Sequence, residues 1–248
     1  MCDKCGCSDR ASHHGTSDHV HDHGLSREGL SHQDRIAERN RGFFQARQVL
    51  AVNILSFSTF TARPLIQKTM SEWGKSRKVA LVDSAFLESI HAAHDHDHHH
   101  HAADDAGEET GLLDAHKISH ALRAMDLEHV DVVLLENGGS AACQAVNDLG
   151  ETIRVAVFSV RDGEQKPLKF PLFFQHADAV VIQDTDQATG VGFDLAKARA
   201  NVKQVAPQAQ IFEVSAQTGV GLDAWYEFLV TAQVHGSTVA SVFVNGVL

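Results

Sequence analysis

Residues 50–69 read Leu50-Ala51-Val52-Asn53-Ile54-Leu55-Ser56-Phe57-Ser58-Thr59-Phe60-Thr61-Ala62-Arg63-Pro64-Leu65-Ile66-Gln67-Lys68-Thr69. An apolar run, a sharp polar turn and a second apolar stretch spell strand, loop and helix start. A loop in that place binds phosphate when it carries G-x-x-x-x-G-K-[ST]. The glycines let backbone N–H groups approach the phosphates, the lysine reaches the β- and γ-phosphates, and the hydroxyl holds Mg2+. Here the matching places hold Ser56, Thr61, Ala62 and Arg63. Arg63 returns one positive charge, but on the wrong residue and without a glycine-built nest. Pro64 is compatible with the first turn of a helix. Phe57 and Phe60 are expected to crowd the space where phosphates would lie.

Downstream, apolar runs alternate with helical patterns. Strands are expected at Lys78–Val82, Val130–Leu135, Thr152–Ser159, Ala179–Gln183 and Gln210–Val214. Helices are expected at Leu112–Met125, Phe193–Val205 and Gly221–Leu229, and before the first strand at Arg27–Arg47. Apolar strands unrelieved by polar alternation mean a mostly parallel sheet covered by helices on both faces. The fold class is therefore α/β, P-loop NTPase-like. Asp83, after the second strand, reads either as a ligand residue in the crevice or as a helix N-cap. Glu136-Asn137-Gly138-Gly139, after the next strand, is an acidic and glycine pair where P-loop proteins sense γ-phosphate and magnesium. The segment Val239–Val244 looks β-like.

Upstream, residues 1–26 hold almost no large apolar side chains, so they cannot bury enough surface to fold alone. Cys2, Cys5 and Cys7 form C-x-x-C-x-C, and His13, His14, His19, His21 and His23 follow, interleaved with Asp18 and Asp22. Thiolate and imidazole both suit Ni2+ and Zn2+. The alternative is a solvated polar tail. A second cluster interrupts the α/β pattern at 91–110, with His94, His96, His98, His99, His100 and His101 beside carboxylates. It reads as a metal-binding loop insertion, or else as passive low-complexity sequence. His116 and His120, four apart, share one helix face, as a metal pair or as surface histidines. Cys143 alone reads as a small packed hydrophobe.

The division implied is a disordered Cys/His arm at 1–26, an α/β domain at 27–232 with its insertion, and a tail at 233–248. A net charge of −11 leaves no basic stripe for a nucleic-acid partner. There is no apolar run long enough to span a membrane. The N-terminus is polar from the start, unlike a secretory signal, and its clustered cysteines suit metal in a reducing compartment. A cytoplasmic protein is expected.

Taken together, these segments resemble the HypB family, the nickel-delivery GTPases of [NiFe]-hydrogenase maturation. Besides Cys2-x-x-Cys5-Gly6-Cys7, the resemblance rests on Leu113-Asp114-Ala115-His116, Glu136-Asn137-x-Gly139 and Asp148-Leu149-Gly150-Glu151. It also rests on Gly163-Glu164-x-Lys166-Pro167-Leu168-Lys169 and Phe212-Glu213-Val214-Ser215-Ala216-x-Thr218-Gly219. The resemblance implies Ni2+, or Zn2+ in its place, on the Cys arm, and GTP with Mg2+ on the domain. It implies hydrogenase maturation proteins and the hydrogenase large subunit as partners, and a homodimer. It makes Asp186 the carboxylate that accepts from guanine N1 and N2, with Ser215 and Ala216 as the second base-contacting segment. Cys143 is what remains of an interface metal site whose Cys-His pair is replaced by Gly111-Leu112.

The departures fall on function. The guanine-reading N-K-x-D is Gln183-Asp184-Thr185-Asp186. Losing the lysine and the glycine cradle removes charge-assisted hydrogen bonds worth about 1.5–3 kcal/mol each. Two or three such losses move a micromolar site to about millimolar or weaker. The reading that follows is a nickel-binding accessory protein, metallochaperone or reservoir, on an impaired GTPase scaffold. The alternatives are an active nickel-inserting GTPase and a non-catalytic partner of a HypB paralogue.

Overall fold

The computed structural model describes residues 31–94, 113–139 and 147–244. The chain opens with α1 (His32–Ala46), β1 (Leu50–Ser56), α2 (Thr59–Trp73), β2 (Val79–Val82), α3 (Ser84–His94) and α4 (Ala115–Ala124). It continues with β3 (Val132–Gly138), β4 (Ile153–Ser159), β5 (Ala179–Gln183), α5 (Leu195–Val205), β6 (Gln210–Val214) and α6 (Leu222–Val244). Short helical turns at Lys166–Lys169 and Pro171–Phe174 lie between β4 and β5. The sheet has the order β2-β3-β1-β4-β5-β6, and every pairing is parallel. All strand C-termini therefore point to one end, where an open α/β sheet forms its ligand crevice. Among the described residues no helix is long and apolar enough to cross a membrane.

β1 lies inside the sheet between β3 and β4, and all seven of its residues are buried. Its alternate side chains serve opposite faces, as the strand period requires. Leu50, Val52 and Ile54 face α2 and α6, in a core with Leu65, Ile66, Trp73, Trp225 and Leu229. Ala51 faces Phe44, Leu122 and Val133 on the other side, and Leu55 faces Phe158, Phe174 and Ile182. Each fully buried Leu or Ile contributes about 1.5–3 kcal/mol, which is why these runs lack polar relief.

The expected strands are present, β5 and β6 with the expected ends and the others with shifted ones. β3 begins at Val132 and runs through Glu136, Asn137 and Gly138, where the sequence reading ends at Leu135. The ladder to β1 carries these residues: Ile54 pairs with Glu136, Leu55 with Asn137 and Ser56 with Gly138. α1 starts at His32 on a capping box. Ser31 Oγ accepts from Asp34 N–H at 3.2 Å, and Asp34 Oδ2 accepts from Ser31 N–H at 2.9 Å. Residues 27–30, expected in this helix, lie outside the described residues. Val239–Val244 is helical, continuing α6. β-branched residues favour strands only where a neighbouring strand receives them, and here they prolong a helix already under way.

Candidate functional site

Only Phe57 and Ser58 separate β1 from α2. Ser58 caps the helix, its Oγ accepting from Phe60 N–H at 3.2 Å. Thr61 N–H donates to Ser58 O at 2.9 Å. A phosphate loop places its helix after the glycine-lysine pair, whereas this helix begins two residues before the second glycine place. Two of its first-turn N–H groups, those of Phe60 and Thr61, are engaged by Ser58. Thr59 lies over Gly138 so closely that a Cβ there would come within 2.8 Å of Thr59 Cγ2. Ala62, in the lysine place, is fully buried and belongs to the core under α2.

The aromatic residues do not do what the sequence suggests. Phe60 is 88% exposed and crowds nothing. Phe57 turns sideways and stacks on Phe173, with ring centroids 4.2 Å apart. Lys166 Nζ stands 3.8 Å from the Phe57 centroid, so the Lys-Pro-Leu-Lys block is anchored on this ring. What distinguishes this loop is the helix start at Thr59, not aromatic crowding.

Arg63, in the hydroxyl place of the motif, reaches across the strand ends. Its Nη2 lies 2.8 Å from Glu136 Oε2, and its Nη1 lies 3.3 Å from Asp83 Oδ2. Asp83 takes the N-cap reading, and its second oxygen pairs with Arg63. Its Oδ1 accepts from Phe86 N–H at 2.9 Å, capping α3, while Oδ2 faces the crevice. Burial pushes the Glu136 carboxyl above its ordinary range, Asp83 adds to that, and the Arg63 guanidinium opposes it. Further polar atoms are buried near the strand ends: Ser56 Oγ, both carboxylate oxygens of Glu136, Asn137 Nδ2 and Gln183 Oε1 have no hydrogen-bond partner among the described residues, so Glu136 Oε2 meets Arg63 as an ion pair and not through an aligned N–H. The residues present do not fit GTP with Mg2+: Ala62 is buried where the motif has its lysine, and Arg63 pairs with the two nearby carboxylates.

The other end of the crevice keeps more of its expected form. The β5–β6 register aligns Gln183 with Val214, so Asp186 and Ser215-Ala216 follow neighbouring strand ends. Ser215 is buried, its Oγ accepting from Thr218 N–H at 3.1 Å. Asp186 is exposed. Asp184, in the lysine place of N-K-x-D, has φ of 62° and accepts from Ser159 Oγ at 2.7 Å.

Of the expected metal ligands, Cys2, Cys5, Cys7, His13, His14, His19, His21, His23, His96, His98, His99, His100, His101 and Cys143 lie outside the described residues. His94 ends α3 by its backbone, and its side chain is likewise outside. The Nε2 atoms of His116 and His120 on α4 are 3.3 Å apart. That is a hydrogen-bond distance between the two rings, and it is also about the separation of two nitrogens on one tetrahedral ion. Among the described residues no three His, Cys, Asp or Glu side chains come together as a metal site.

Sequence reasoning missed two features. One is the Arg63 bridge, whose signal was a cationic residue in the hydroxyl place with acids ending two strands. The other is the burial of Ala62. The helical stripe Ala62, Leu65, Ile66, Thr69 and Trp73 extends back to that position and could have revealed it.

Residues 99–213 match the model of the CobW/HypB/UreG nucleotide-binding domain. The chain is 32% identical over 202 residues to the hydrogenase maturation factor HypB of Escherichia coli K12, covering 82% of this chain and 70% of that one. The crystal structure of HypB from Archaeoglobus fulgidus superposes with a TM-score of 0.65 at 33% identity, covering 79% of this chain and 96% of that one. HypB from Helicobacter pylori, solved in complex with nickel, shares the fold with a TM-score of 0.69 at 21% identity, over 84% and 97% of the two chains. The chain spans about two thirds of the length of the curated relatives it matches. Sheet, crevice and sequence similarity agree: the chain belongs to the HypB family of hydrogenase maturation factors.

Proposed function

We propose that this chain is a nickel-binding accessory protein of [NiFe]-hydrogenase maturation, a metallochaperone or nickel reservoir, whose GTPase site is impaired. The observation that carries the second half is the early start of α2 at Thr59, with Ala62 in the core and Arg63 on the acidic strand ends. The first half is supported by HypB relatives, one of them solved with nickel, and by two ligand-rich segments. Metal, Ni2+ or Zn2+, sits on Cys2, Cys5 and Cys7, with the histidines of both clusters as a reservoir and Cys143 as a further ligand. The protein works in the cytoplasm with hydrogenase maturation proteins and the hydrogenase large subunit. Zn2+ competes for every ligand named, since borderline metals share thiolate and imidazole preferences.

Nickel titration of the intact protein, against a form lacking residues 1–23 and 95–101, tests the reservoir. This deletion leaves α3 whole. Lower stoichiometry in the shortened form is expected, and equal stoichiometry would overturn the reading. Turnover of GTP above background, lost on Asp186→Ala, would overturn the impaired site. Retention of Asp186 and Ser215-Ala216 at the β5 and β6 ends favours a second reading, in which guanine is still recognised without hydrolysis. Saturable binding of guanosine, abolished by Asp186→Ala, would establish it.

A further inference from the structure

We propose that the guanidinium of Arg63 is the resident cation of this crevice. It stands in for a divalent ion between the carboxylates that end β2 and β3, and makes the junction of α2, β2 and β3 independent of Mg2+ and nucleotide. The inference deepens the reading of an impaired nucleotide site and is independent of nickel binding.

Three observations carry it. The first is position. Arg63 replaces the Ser or Thr whose hydroxyl holds Mg2+ in a phosphate loop, and its side chain meets the acids of the neighbouring strands. The second is geometry. Nη2 and Nη1 engage different carboxylates, Glu136 at 2.8 Å and Asp83 at 3.3 Å. A planar fork can span two acids in this way, whereas an ammonium acts as a point charge. The third is burial. The Glu136 side chain is 1% exposed and that of Asp83 12%. A carboxylate so placed needs a paired cation to stay ionised, and the ion pairs of both acids run to Arg63.

The exchange is not charge-neutral. Two carboxylates with Mg2+ sum to zero, whereas with one guanidinium they keep one negative charge. That residual charge repels a polyphosphate, and it accords with the raised Glu136 carboxyl. A tethered cation also acts at high effective concentration. Free Mg2+ must displace it and leave it unpaired. The junction therefore holds one state, where a nucleotide-loaded relative would have two.

Thermal unfolding of the full chain, with and without millimolar Mg2+, tests this. Mg2+ prefers oxygen ligands, and the carboxylates of the Cys/His segments are the same in every variant, so the readout is the Mg2+ response that Glu136→Gln removes. The natural chain should melt at the same temperature with and without Mg2+. Arg63→Thr should lower the midpoint by about 2–5 °C: Glu136 is left buried without its cation, but the guanidinium itself is 38% exposed and partly screened by solvent. Mg2+ should then recover at least half of that loss, and the recovery should vanish in Arg63→Thr/Glu136→Gln. Three results would overturn the proposal: an Mg2+-dependent rise in the natural chain that Glu136→Gln abolishes, an Arg63→Thr chain that melts like the natural one, or a destabilised Arg63→Thr that ignores Mg2+. If Arg63→Thr fails to fold, Arg63→Lys takes its place. The ammonium cannot span both acids, so a lower midpoint partly restored by Mg2+ is expected, and natural-like melting would count against the bridge. Failure here leaves the nickel titration untouched, and the reverse also holds.

Discussion

Trp225 Nε1–H donates to Thr69 Oγ1 at 3.1 Å, and Thr69 Oγ1 in turn donates to Leu65 O at 2.8 Å. This link joins α6 to α2 beneath the sheet, and both residues are buried. Thr69→Val keeps the shape but leaves the indole N–H without its acceptor. That costs about 1–3 kcal/mol, or a midpoint about 2–10 °C lower, while Thr69→Ser retains the hydroxyl and most of the stability. Paired thermal melts of the two variants check this.

Gly150 has φ of 84°, and a Cβ there would lie 2.3 Å from Ala37 O and 2.7 Å from Arg41 N. Both clashes are with backbone atoms of α1, which is tied to the same region by Asn40 Nδ2–H donating to Leu149 O at 3.1 Å. Gly150→Ala is therefore expected to destabilise by more than about 3 kcal/mol, combining strain with overpacking. Denaturant unfolding measures it.

Phe57 and Phe60 should separate in the same assay. Phe57→Ala removes the ring on which Phe173 stacks and over which Lys166 stands, and should cost about 2–4 kcal/mol. Phe60→Ser, at a solvent-facing position, should change stability by less than about 0.5 kcal/mol.

Two carboxyls should leave opposite marks on the pH profile of stability. For Asp148 burial acts upwards, but Arg41, bonded at 2.8 and 2.7 Å, and the Gly150 N–H outweigh it, so the net shift is below 3.8. Its contribution is present above pH 3.8 and is lost as pH falls through the folded-state value. Asp148→Asn should flatten that acid limb. Glu136 is shifted above 4.5, chiefly by burial. Its contribution is complete below pH 4.5 and declines as pH rises through the folded-state value. Urea midpoints measured from pH 3 to 8 should show both slopes, and a flat profile in Glu136→Gln above pH 4.5.

The sheet was legible because strands buried on both faces leave unbroken apolar runs. Ala179–Gln183 and Gln210–Val214 have the same ends by either route. The end of β3 was not legible, because Glu136, Asn137 and Gly138 have poor strand propensity and are held by pairing with β1. The Arg63 bridge was hidden for a different reason. Its three members are 20 and 53 residues apart along the chain, and only the sheet order, with β2 beside β3, brings them together. Asp83 was legible as a helix N-cap, while the pairing of its second oxygen with Arg63 was not.

The burial of Ala62 bears on how this lineage can change. A single Ala62→Lys would thrust an ammonium into the core among Val52, Leu65 and Ile66, where no water or phosphate receives it. Lysine becomes useful only after α2 has been shortened and glycine regained at the places of Thr61 and Ser56. The first step back is thus harmful until later steps are in place. The helix start at Thr59 and the buried place of Ala62 are thus coupled: no single substitution brings a lysine to the end of β1.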